Sequence, residues 1–135
     1  MSRSPRRILI GYDGSDCAHR ALELAASLVQ DGTSVTLATV AEVMSFGIPD
    51  PFSTAEQKRL LTEGKELLAA RGVASGSIEP LDADAAEGLV WAAKKVGADL
   101  LVVGTQSRGR LARLALGSVA GAVVHRAPCS VLVVP

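Results

Sequence analysis

Aromatic residues are scarce in this chain. One Trp, one Tyr and two Phe make up 3% of its 135 residues. A protein that grips single-stranded nucleic acid by stacking needs more such platforms. Charge of either sign is not in surplus, since 14 Lys and Arg balance 14 Asp and Glu. That balance speaks against general binding to a phosphate backbone, so nucleic acid is not an expected partner. Apolar runs stop at four or five residues, against the roughly 20 that a membrane-spanning helix needs. No apolar stretch of signal-peptide length follows Arg3, Arg6 and Arg7, so no membrane partner is expected either. The only two cysteines, Cys17 and Cys129, lie far apart without metal-ligand spacing. They read as free thiols in a reducing compartment, and a cytoplasmic location is the expectation. Finally, acid is missing from one end of the chain. All fourteen acids lie at or before Asp99, whereas residues 100–135 carry Arg108, Arg110, Arg113 and Arg126.

What is present is an ordinary globular composition, 48% hydrophobic, of a length that suits one domain over residues 1–135. Short β-branched or aliphatic runs alternate with amphipathic ones. "RRILIGYDGS" reads as a buried strand, Ile8 to Ile10 and at most to Tyr12, that ends in a Gly/Asp/Ser turn. Ala18, Ala21, Leu22, Ala25, Leu28 and Val29 then recur at helical spacing, with Gly32 placed for a C-cap. "SVTLATVAEV" is a second strand, and the loop "MSFGIPDPF" follows with two prolines. Ser53 and Glu56 have capping-box spacing for a helix running to about Arg71 and closing at Gly72. "SIEPLD" is a weak third strand, and Asp84 and Glu87 open a third helix that Gly97 closes. "DLLVVG" is a fourth strand, apolar enough for burial on both faces. Ser118 is expected to cap a last helix, and "SVLVVP" is a fifth strand. The fold class is therefore α/β: a five-stranded parallel sheet in the flavodoxin-like or Rossmann-like order 3-2-1-4-5, with helices on both faces.

Such a sheet binds ligands beyond the C-terminal ends of its strands, where the winding reverses. Here the segments meeting there are "GYDGS" and "GTQS". Gly104, directly after an apolar strand, would let a ligand approach the backbone. Gly117 and Ser118 stand at a helix N-terminus, with its unpaired N–H groups and positive dipole end. The arginines between them, Arg108 first, could hold phosphate, and Asp13 could accept from ribose hydroxyls. Together these suit a nucleotide. The same residues also admit a plainer account, in which the glycines only punctuate turns, Ser118 only caps and Asp13 only closes an Asx turn.

The chain resembles the universal stress proteins over essentially its whole length. "ILIGYDGSDCAHRALELA", "DAAEGLVWAAKKVGADLLVVGTQSRG" and "LALGSVAGAVVHRAPCSVLVVP" carry the resemblance. The nucleotide-binding branch of that family has Gly, two residues, Gly, nine residues, then Gly followed by Ser or Thr. Gly104 matches the first position, Gly117 the third and Ser118 the hydroxyl, but Ser107 stands at the second. Gly11 stands where the family often has proline, two places before the matching Asp13. The resemblance implies ATP or another adenine nucleotide, with or without Mg²⁺ on its phosphates. The base would lie against the backbone around Val40, and the phosphates on Gly104, Ser107, Gly117, Ser118 and Val119. If position 107 requires a left-handed backbone, serine costs about 1 kcal/mol there that glycine does not. The expectation is weakened ATP binding, with AMP or ADP competing well.

No nucleophile–base pair is legible. His19 and His125 are expected on helix surfaces or ends, so any ATP turnover would be slow and incidental. A receiver-type domain of the same fold needs a cluster of acids after strand one, where Asp13 stands alone. The resemblance keeps two functions open: a nucleotide-binding sensor or regulator in stress response, and a dimeric module that binds no nucleotide and acts through protein partners. Strand five (Ser130, Val131, Leu132, Val133, Val134) is an apolar edge in the expected order. In the family that segment commonly forms a homodimer contact. Trp91 falls at the border of its helix's buried stripe. Met44, Phe46 and Phe52 could either lie over the site as a lid or cover the end of the sheet.

Overall fold

The structure is a computed structural model that describes residues 5–105 and 117–135. Ser107 and Arg108 lie outside the described residues. The elements run β1 (Arg7–Gly11), α1 (Asp16–Ser27), β2 (Ser34–Ala38), a 3₁₀ turn (Ser45–Gly47), α2 (Pro51–Ala69), β3 (Gly76–Ile78), α3 (Ala85–Val96), β4 (Leu100–Gly104), α4 (Ser118–Arg126) and β5 (Ser130–Val134). The five strands form one sheet in the order β3-β2-β1-β4-β5, with every neighbouring pair parallel. The expected topology is the observed one.

Period-two alternation within each strand divides the core between the two faces of the sheet. Ile8, Ile10, Val35, Leu37 and Val102 point to the side covered by α1 and α2, where they meet Ala18, Ala21, Leu22, Leu60 and Leu68. Leu9, Ala38, Leu101 and Val103 point to the other side and meet Leu89, Ala92 and Ala93 of α3 and Ala120 and Val123 of α4. Small residues let the helices come close. A Cβ on Gly64 of α2 would sit 3.0 Å from Leu37 Cδ1, and one on Gly88 of α3 would sit 2.7 Å from Val40 Cγ1. The mid-helix glycine at position 64, which periodicity alone does not explain, is where α2 crosses β2.

Several element ends differ from the expectation. Helix α2 starts at Pro51, not at Ser53: Asp50 is its N-cap, and Asp50 Oδ1 accepts from the N–H groups of Phe52 and Ser53. Pro51 suits that first position because its fixed φ is helical and no N–H is needed there. Ser53 Oγ instead accepts from the Glu42 N–H at 2.7 Å, tying the preceding loop to the helix. Helix α1 ends at Ser27 with Leu28 as its right-handed C-cap, so Gly32, at φ 86°, belongs to the following turn rather than to the cap. β2 stops at Ala38, before the "TVAEV" end expected of it, and β3 is only three residues long. Asp84 caps α3 as expected, and Gly97 closes the helix as its C-cap in the left-handed region, at φ 66°. Glu87, three residues after that cap, turns to Arg126 of α4 at 2.5 Å rather than back to the cap. Gly117, not Ser118, is the N-cap of α4, and no side-chain bond caps that helix.

Candidate functional site

The carboxyl ends of β1, β2 and β4 converge on a cleft of about 110 Å³, closed by α3 and the first turn of α4. Gly11 lines it at the end of β1 with Tyr12 and Asp13 just beyond, Thr39 and Val40 line it just past β2, and Val103 and Gly104 line it from β4. Leu89 contributes from α3, and Val119 and Ala120 from α4. Of the residues expected at a site, Gly11, Asp13, Val40, Gly104 and Val119 therefore come together. Gly117 and Ser118 flank this lining at the start of α4.

Each polar group around the cleft has a definable role. Asp13 Oδ1 accepts from the Ser15 N–H at 3.0 Å and from Ser15 Oγ at 2.6 Å, and Ser15 Oγ in turn accepts from the Ala18 N–H at the start of α1. The carboxylate thus forms the Asx turn that launches α1 while lining the cleft. The Gly117 N–H donates to the Thr105 carbonyl at 2.6 Å, and the Gly117 carbonyl accepts the first intrahelical bond, from Gly121. The N–H groups of Ser118, Val119 and Ala120 precede that first bond and are the donors that the helix end leaves over. Ser118 is exposed. Around Val40, the Thr39 carbonyl is taken by Gln57 Nε2 at 2.7 Å, and Ala41 pairs with Pro80 and Asp82. Among the described residues none hydrogen-bonds the Val40 N–H or carbonyl.

Gly104 needs its missing side chain for a second reason. A Cβ there would stand 2.5 Å from Cys17 Sγ and 3.0 Å from the Ala18 backbone nitrogen. The close approach that glycine permits at this position is that of the first turn of α1.

Tyr12, not foreseen as a site residue, ties the cleft to the helices behind it. Its hydroxyl donates to Glu63 Oε2 of α2 at 2.8 Å and lies 2.9 Å from His19 Nε2 of α1. Because its one proton goes to Glu63, the histidine nitrogen is the donor in the second bond. Burial, followed by the hydrogen bond to Glu63 and the charge of that carboxylate, raises the Tyr12 pKa well above the ordinary phenol value. Burial likewise raises that of the Cys129 thiol. Thr39, Leu89 and Ala120 were also missed; Thr39 fell inside the strand expected over "SVTLATVAEV", and only the earlier end of β2 at Ala38 brings it to the cleft. Met44, Phe46 and Phe52 are exposed and do not line the cleft. Neither Cys17 nor Cys129 forms a disulfide among the described residues. Among the described residues no helix is long and apolar enough to cross a membrane.

The model of the universal stress protein family matches residues 5–135. The chain belongs to the universal stress protein family. A universal stress protein of Thermus aquaticus is 35% identical over 134 residues, spanning 96% of this chain and 98% of its own length. Among solved structures, the universal stress protein UspA from Lactobacillus plantarum superimposes with a TM-score of 0.79 at 25% identity, over 100% of both chains. A universal stress protein solved in complex with cAMP superimposes with a TM-score of 0.78 at 26% identity, over 98% of both. The family's α/β fold, expected from the resemblance of three segments, is thereby established.

Proposed function

We propose that this universal stress protein binds an adenine nucleotide in the cleft at the carboxyl ends of β1, β2 and β4, and that it acts as a homodimeric sensor or regulator in the cytoplasm. The observation that carries the reading is the convergence of Gly11, Asp13, Val40, Gly104 and Val119 on one cleft. The adenine edge pairs with the Val40 backbone, whose N–H and carbonyl have no partner among the described residues. Asp13 takes the ribose hydroxyls. The phosphates lie on the N-terminal turn of α4, where the N–H groups of Ser118 and Val119 and the positive helix end favour an anion. Gly117 supplies the close backbone approach, its own N–H being committed to Thr105. Ser107 and Arg108 complete the phosphate end in this reading, and Mg²⁺ arrives, where it is needed, with the phosphates. A relative of the same fold crystallised with cAMP supports the ligand class.

Isothermal titration of the full chain with ATP, ADP, AMP and GTP tests this. Adenine nucleotides should bind at one per chain, with AMP or ADP at least matching ATP and GTP much weaker. Gly88→Ala pushes against Val40 and should weaken the adenine nucleotides without unfolding the protein. Absence of binding by all three adenine nucleotides would return the chain to the rival role of a dimeric module working through protein partners.

A further inference from the structure

A second groove, of about 420 Å³, lies on the far side of α3 from the sheet's centre, between that helix and the segment that follows β3. Glu79, Pro80, Leu81 and Asp82 form one wall, and Glu87, Gly88 and Trp91 the other. Two large apolar side chains are left open to solvent there, Trp91 at 49% and Leu81 at 47% exposure. An exposed tryptophan beside an exposed leucine is unusual surface for a chain with a single tryptophan. Carboxylates surround this apolar floor. Glu87 is held by Arg126 at 2.5 Å, whereas among the described residues no ion pair engages Glu79 or Asp82. Asp82 Oδ1 accepts only a backbone bond, from the Asp84 N–H at 2.9 Å. Lys94 and Lys95, one turn along α3, do not line the groove.

The walls are fixed in place. Gln57 Nε2 and the Ala41 N–H both donate to the Pro80 carbonyl, at 2.9 and 3.0 Å, and the Asp82 N–H donates to the Ala41 carbonyl at 3.0 Å. A partner therefore meets a preformed surface and spends little on ordering it. The negative rim repels nucleic acid and anionic lipid, and favours a cation. A cation over the indole face gains further. A lone small cation would leave Leu81 exposed, whereas a polypeptide that alternates cationic and aliphatic side chains covers both.

We propose that this groove docks a basic, leucine-like peptide segment of a protein partner. An arginine or lysine of that segment stacks on Trp91 between Glu79 and Asp82, and an aliphatic side chain rests on Leu81 and Pro80. The site is separate from the nucleotide cleft and does not depend on it.

Trp91 is its own reporter. The full-length protein would be titrated with acetyl-Arg-Leu-Arg-Leu-Arg-amide, acetyl-Glu-Leu-Glu-Leu-Glu-amide and arginine amide while tryptophan emission is followed. The basic pentapeptide should give a saturating change that salt weakens, and the acidic one none. A Glu79→Lys/Asp82→Asn variant, altered at one exposed and one half-buried position and leaving an Oδ1 acceptor for the Asp84 N–H, should lose about tenfold or more in affinity. Trp91→Leu, followed by calorimetry, should weaken binding as well. Equal response to the acidic peptide, or unchanged affinity in either variant, would overturn the proposal. Arginine amide binding as tightly as the pentapeptide would overturn it too, in favour of a small-cation site.

Discussion

Gly104 shows how one residue can be required twice. From the sequence it is a place where a ligand nears the backbone; in the structure it is also where the first turn of α1 presses on β4. Its neighbours there include backbone atoms of Cys17 and Ala18, which cannot swing aside as a side-chain tip can. Gly104→Ala should therefore destabilise the protein by about 1–3 kcal/mol, read as a lower midpoint in urea. A midpoint equal to that of the parent chain would mean that α1 is free to shift. Asp13 has the same double character, since it closes an Asx turn and lines the cleft, and the sequence could not separate these roles because one carboxylate can serve both. Tyr12 could not be read at all, because its partners His19 and Glu63 lie on two different helices. Its raised pKa has a consequence at high pH. A phenol whose pKa is higher in the folded than in the unfolded state stabilises the fold below the unfolded value, and that stabilisation is lost as the pH rises through the folded one. Unfolding free energy should thus fall above about pH 10, and Tyr12→Phe should flatten that fall. As Tyr12 is the only tyrosine, equal alkaline slopes in the two proteins would contradict the assignment.

Among elements, the strands and helices were legible in existence and order, but several of their ends were not. Helix α2 had two competing starts within four residues. Asp50 followed by proline prevailed over the Ser53/Glu56 spacing because Ser53 is drawn to the Glu42 N–H and Glu56 pairs with Arg59 at 2.5 Å. The Asp84/Glu87 pattern located its cap correctly, yet Glu87 serves α4 instead. Local spacing identifies groups able to cap, and tertiary partners then compete for them. The loop after β2 adds strain that no propensity signals: Phe46 takes φ 77°, a left-handed value costly for an aromatic residue, with its ring 98% exposed. β5 is the outer strand beside β4, with Val131, Leu132 and Val133 only half-buried. An apolar edge of this kind invites pairing with a second copy. Light scattering should accordingly find a dimer for the parent chain and a monomer for Val133→Lys; a dimer that persists in the variant would remove β5 from the interface.

On the scale of the whole molecule, topology was the easiest property to read. Period-two strands alternating with period-3.6 helices leave few arrangements, and parallel pairing places the ligand end of all five strands on one side. The cleft followed from that topology, and five of the nine anticipated positions line it. What could not be read was anything set by contacts between distant segments: the hydroxyl network behind Tyr12, the groove at Trp91, and the commitment of the Gly117 N–H to Thr105. The proposal that the cleft holds an adenine nucleotide sets the matching glycines and Asp13 against a serine at position 107. Native mass spectrometry of freshly purified protein, before and after adding ATP with Mg²⁺, tests it most directly. A dimer carrying one adenine nucleotide per chain is the expected spectrum; a protein that stays empty at high ATP, and equally with AMP, would rule out nucleotide binding in the cleft.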